Sequence, residues 1–156
     1  MEFTHFDDKG NAYMVDVSGK GVTHRVAIAE GTIAVSREVM DAVLGHKVKK
    51  GDVMTVAQVA GIMGTKRTSD LIPMCHPLSL TNAAVTFEVD EEACEIKAIC
   101  RAVTEGKTGV EMEALTGVSV ALLTLYDMCQ AIDKRMVIRE IHLVEKSGGK
   151  SGEFQF

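Results

Sequence analysis

The sequence predicts an α+β domain of the ferredoxin-like kind, a mainly antiparallel sheet with helices packed on one face. Three observations lead there. Extended, β-branched segments lie near both ends of the chain. Apolar residues recur at helical spacing in the stretches between them. Two further extended segments are separated by little more than Glu91-Glu92, the spacing of a hairpin.

Residues 12–17 (AYMVDV) and 22–35 (VTHRVAIAEGTIAV) read as strands from their β-branched content and partial alternation. Ser36 is placed to cap a short helix, Arg37 to Leu44, which Gly45 ends. Gly51-Asp52 opens a second helix. Val53, Val56, Ala57, Ala60 and Met63 carry its period toward Lys66. Residues 70–80 (DLIPMCHPLSL) cannot be helical throughout, because Pro73 and Pro77 each remove a donor and restrict the residue before them. This shaped loop leads into strands at 82–90 and 93–104. The longest helical stretch runs from Thr108 to about Lys134, and a last strand from Met136 to Val144. Residues 147–156 form a flexible, glycine-rich tail. No repeat, linker or low-complexity tract divides the chain, so residues 1–156 are one domain.

Composition narrows the function. The chain is 46% hydrophobic and 25% charged, the balance of a soluble globular protein. Its net charge of −5 and lack of Trp argue against a nucleic-acid coat or an anionic-membrane binder. Local basic clusters still suit a small anion: His46, Lys47, Lys49 and Lys50; Lys66 and Arg67; Lys146 and Lys150. The first residues lack the basic and apolar regions of a signal peptide, and no apolar run reaches the roughly 20 residues that span a bilayer. The cytoplasm is the expected compartment. Cys75, Cys94, Cys100 and Cys129 form no CxxC pair, so neither disulfides nor a metal site is expected.

The long helix carries two adjoining apolar stripes. One is Val110, Ala114, Val118, Ala121, Leu125 and Met128; the other is Leu115, Leu122, Tyr126 and Cys129. A helix apolar on most sides is covered on most sides. One sheet covers one side, so a partner subunit is the simplest remedy, unless the small side chains tolerate exposure. Glu111 and Glu113 lie in the first turn, where the helix dipole favours carboxylates. Spacing alone leaves helix-start chemistry and a site as open readings. Asp127 follows Glu113 by fourteen residues, about 21 Å along a continuous axis at 1.5 Å per residue. If both acids serve one site, two chains share it across a two-fold axis. Asp127 shares a helix face with Gln130, and an ion pair with Lys134 or Arg135 is its simpler reading.

Six stretches together resemble the molybdenum cofactor biosynthesis protein C family, the cyclic pyranopterin monophosphate synthases. They are MVDVS at 14–18, KGDV at 50–53, AQVAGIMGTKRTSDLIPMCHPL at 57–78, TGVEMEALT at 108–116, LYDMC at 125–129 and KSGGKSG at 146–152. The resemblance implies a ferredoxin-like fold and no cofactor. It implies conversion of (8S)-3′,8-cyclo-7,8-dihydroguanosine 5′-triphosphate to cyclic pyranopterin monophosphate, with release of pyrophosphate. It further implies a homohexamer, a trimer of dimers with the site at the dimer interface. By matching position, Asp127, His76 and Lys50 take catalytic roles. Met74, Cys75, His76, Glu111, Met112, Glu113, Lys66 and Lys146 contact substrate, and the glycine-rich tail joins Lys146. The chemistry suits these types: phosphate calls for Lys, Arg and backbone N–H groups, and ring rearrangement calls for acid–base groups. Glu111 and Glu113 could hold the guanine edge, while Cys75 lines the pocket.

The sequence departs from the family pattern twice. Where the pattern has YDMCKA, this chain has Gln130, which carries no charge and transfers no proton at neutral pH. Loss of a general acid–base typically costs ~10²–10⁴-fold in rate. Three readings follow: a deliberate replacement that traps substrate, a natural enzyme using another base such as Lys134, or an impaired relative that binds the nucleotide without turnover. Gly64, where the pattern has alanine, should loosen its helix by up to ~1 kcal/mol.

Overall fold

A computed structural model describes residues 4–45 and 52–156. The elements are β1 (Thr23–Ala34), α1 (Arg37–Leu44), α2 (Val53–Lys66), the single turn α3 (Thr68–Leu71), β2 (Leu80–Asp90), β3 (Glu95–Gly106), α4 (Glu111–Cys129), β4 (Val137–Ser147) and β5 (Phe154–Gln155). One sheet has the order β2-β3-β1-β4-β5, with every pairing antiparallel. Its first four strands, with α1 and α2 in one crossover and α4 in the other, give the β-α-β-β-α-β order of the ferredoxin-like fold.

Local chemistry sets most element ends. Ser36 accepts from the Val39 N–H at 3.2 Å and caps α1, while the Asp52 carboxylate accepts from Met54 and Thr55 and caps α2. Asp90 accepts from the Ala93 N–H at 2.9 Å and turns the β2–β3 hairpin. The inner sheet face is built from small residues: Ala27 and Ala29 of β1 and Ala98, Cys100 and Ala102 of β3 are fully buried. A flat face of this kind lets α4 lie close.

Three expectations need correction. Residues 12–17 form no strand; Ala12 makes one bridge, to Phe6. Thr4–Ser18 is instead a turned strap whose backbone bonds mostly within itself. The long helix stops at Cys129 rather than near Lys134. There the Ile132 N–H donates to the Cys129 carbonyl and the Tyr126 hydroxyl donates to the Lys134 carbonyl, both at 2.9 Å, turning the chain toward β4. The glycine-rich end also folds back, where Phe154 and Gln155 pair with Lys146 and Glu145.

Cover for α4 comes from inside the chain as well. The sheet takes one side and α2 runs along another. A Cβ at Gly61 would stand 2.9 Å from the Gly117 carbonyl, and one at Gly64 would stand 2.8 Å from a Val120 methyl carbon. Gly64 therefore admits Val120, a packing role beyond any loosening of the helix. By length and composition α4 could cross a bilayer, with 19 residues and a mean hydropathy of 1.3. Here it is a core helix, with Ala114, Val118, Ala121 and Leu122 fully buried. The exposed apolar side chains that remain include Val59 (52%) and Met63 (58%) on α2 and Leu123 (59%) on α4.

Candidate active site

Pro73 and Pro77 keep residues 72–79 out of regular structure, and the Cys75 N–H closes a turn on the Ile72 carbonyl at 3.2 Å. This turn presents Met74, Cys75 and His76 to a cleft of about 330 Å³. The first turn of α4 forms a second wall with Glu111, Met112 and Glu113. The N-terminal strap forms a third with Thr4, His5, Val15 and Val17, and Lys20 stands at the edge. The structure thus brings together six residues that the sequence had assigned from segments far apart in the chain.

His76 Nε2 lies 2.6 Å from the Val15 carbonyl oxygen. A carbonyl only accepts, so Nε2 carries a hydrogen and donates it. In the neutral ring Nδ1 is then the nitrogen able to take a proton.

The two glutamates differ in environment. Glu113 is 4% exposed, and burial pushes its carboxyl up to about 7. Its own backbone N–H opposes the rise, and the neighbouring Glu111 charge adds to it. Glu111 accepts from Lys146 Nζ at 2.8 Å, and the same ammonium donates to Ser151 Oγ at 2.8 Å. Lys146 therefore reaches the site through Glu111. Burial, reinforced by Glu113, raises the Cys75 thiol above its ordinary range, so it is a pocket wall rather than a thiolate at neutral pH.

Asp127 and Lys66 do not line this cleft. α4 is continuous from Glu111 to Cys129, which leaves Asp127 about 21 Å from Glu113 along the axis. Asp127 is exposed and accepts from Gln130 Nε2 at 3.0 Å. The helix face that the sequence assigned to this pair holds. Arg135 forks onto Asp133, with Nε 2.9 Å from Oδ1. Lys134 lies past the end of the helix, so it is no longer one helical turn from Gln130. Lys66 is exposed at the end of α2, and Lys50 lies outside the described residues.

Sequence reasoning missed two parts of the site. One is the strap as a wall. The other is a basic basin of about 280 Å³, lined by Lys20, Arg25 and Lys150 with Gly149 and Ser151. It adjoins the cleft, because Lys20 lines both. Gly149, at φ +82, lies so close to Arg25 that a Cβ would stand 2.1 Å from the guanidinium. Lys150 and the glycines were visible as a basic, flexible-backbone run. Nothing in the spacing of Lys20 and Arg25 pointed to them.

Comparison with known proteins gives consistent matches. A family profile described as the MoaC family matches residues 14–149. A cyclic pyranopterin monophosphate synthase of Clostridium perfringens (strain 13 / Type A) is 59% identical over 155 residues, covering 99% of this chain and 98% of that protein. One from Heliobacterium modesticaldum is 58% identical over 151 residues, covering 97% and 95%. One from Peptoclostridium acidaminophilum is 54% identical over 155 residues, covering 99% and 98%.

Proposed function

Because this chain belongs to the MoaC family, we propose that it makes cyclic pyranopterin monophosphate, a step of molybdenum cofactor biosynthesis, as its relatives' names say of them. The substrate in this reading is (8S)-3′,8-cyclo-7,8-dihydroguanosine 5′-triphosphate, and pyrophosphate leaves as the cyclic phosphate closes. The observation that carries it is the cleft itself: Met74, Cys75 and His76 face Glu111, Met112 and Glu113 beside a basic basin. The relatives give no support to an impaired variant.

The residues divide the work as follows. Ionised Glu111 and Glu113 accept from the N–H edge of the guanine-derived ring. His76 and Asp127 move protons as the rings rearrange. Lys20, Arg25, Lys146 and Lys150 hold the triphosphate, together with Lys50 and Lys66. The reading includes a homohexamer, a trimer of dimers, in the cytoplasm. Two facts support assembly: the 21 Å separation, estimated from the helix rise, of Asp127 from the cleft, and the exposed Val59, Met63 and Leu123. A partner's Asp127 end would complete each cleft.

The test is incubation with the cyclic precursor while pyrophosphate release is followed, beside His76→Ala and Asp127→Asn. Release that falls steeply in both variants supports the reading. No release by the unmodified chain would sink it. Light scattering should give a particle of six 16.8 kDa chains, and a monomer would overturn the assembly.

A further inference from the structure

Carboxylates grip a flat heterocycle by its edge and leave its two faces to be covered. Among the described residues, no Phe, Tyr or Trp lines the cleft. The aromatic rings that line it among those residues are His5 and His76, and His76 has one edge committed to the Val15 carbonyl. His5 lies on the strap wall of the cleft, exposed, and outside the residues 14–149 that the family profile matches.

The backbone around His5 is fixed despite its exposure. The Tyr13 N–H donates to the His5 carbonyl at 3.0 Å, next to the Phe6–Ala12 bridge. Asp7 turns the strap by accepting from the Lys9 and Asn11 N–H groups at 2.9 and 2.8 Å. Its far end is clasped twice, by His76 on the Val15 carbonyl and by Lys107 Nζ on the Ser18 carbonyl at 3.1 Å. A tethered strap can hold one ring against a cleft; a loose terminus would lose that contact to conformational entropy.

We propose that His5 is a further substrate-binding residue, whose ring stacks on the face of the substrate's guanine-derived heterocycle while Glu111 and Glu113 hold its edge. This rests on the function proposed above. Met74 and Met112 line the same cleft and offer polarisable surface for the other face. Stacking needs a π-face and no proton transfer, which separates this role from acid–base work.

Steady-state kinetics with the cyclic precursor test it, using the full chain, His5→Ala and His5→Phe. His5→Ala should raise KM about tenfold, in keeping with the loss of one stacked base, and leave kcat within about twofold. His5→Phe should restore most of the KM. An unchanged KM in His5→Ala, with the parent active, overturns the proposal and leaves the proposed function standing. So does a phenylalanine variant as weak as alanine, because the imidazole would then act through its nitrogens. A parent that neither binds nor turns over the precursor sinks the function and this inference together.

Discussion

The two ends of α4 carry acids in opposite circumstances. At the N-terminal end Glu113 is 4% exposed, enclosed by the proline loop and the strap, and its carboxyl is pushed up to about 7. At the C-terminal end Asp127 is exposed and shares a hydrogen bond with Gln130 on its own helix. The first end lines a cleft, and the second stands outside it. One continuous helix holds both, so under the proposed function they serve one reaction only where two chains meet. That makes the largest expected effect a matter of assembly. Asp127→Asn should cut pyrophosphate release by ~10²–10⁴-fold, the usual cost of losing an acid–base group, and Glu113→Gln should cut it by loosening the grip on the guanine edge. Mixed oligomers of the two variants should recover part of it, because some clefts then carry both native acids. Mixed oligomers confirmed by mass, yet no more active than their parents, would break the pairing of the two ends.

The next effect separates the ends by pH. The ordinary carboxyl value in the unfolded chain is 4.5, while folded Glu113 holds its proton to about 7. Between these values the unfolded state ionises and the folded state does not, so stability is full below 4.5 and falls as pH rises toward 7. At pH 8 the cost is at most about 3 kcal/mol, from ~1.4 kcal/mol per unit. Glu113→Gln should therefore be the more stable protein at pH 8 and equal to the parent near pH 4, read by denaturant unfolding. Equal stability at both pH values would mean that burial does not strain this acid. The parent's KM should rise as pH falls below 7, because only the carboxylate accepts from a guanine N–H.

The third prediction concerns Gln130. Glutamine orients Asp127 without supplying a proton. Gln130→Lys should raise kcat by about tenfold or more, a part of the general acid–base range. An unchanged kcat would move that proton step elsewhere and leave Gln130 as a positioning residue.

How much the sequence revealed follows the range of the forces involved. α1, α2 and the β2–β3 hairpin were readable because Ser36, Asp52 and Asp90 act within three residues of themselves. The proline loop was readable because a missing donor is local. The strap was misread because 12–17 has a strand's composition, while pairing depends on a partner that the fold never offers it. α2 as a cover for α4 was invisible for a similar reason: Gly61 and Gly117 mean close approach only once they face each other. Within the site, Glu111, Glu113 and the Met74–His76 turn came from motifs. The burial that divides Glu113 from Asp127, and the meeting of Lys20 with Arg25, exist only in three dimensions.

The smallest effect tests whether the N-terminal end is tuned from within. Lys146 sits 2.8 Å from Glu111, with the two side chains 21% and 28% exposed. Partly open ion pairs of this kind contribute about 1 kcal/mol or less, so Lys146→Met should barely move stability. Its electrostatic effect should be easier to see. With the ammonium gone, the Glu111 charge acts on Glu113 without compensation, and that charge already raises the Glu113 carboxyl. The pH at which KM begins to rise should therefore move upward in Lys146→Met, while the same change at Lys66 leaves it in place. If the edge stays put in Lys146→Met, the ion pair anchors the C-terminal loop and does not set the charge of the buried acid.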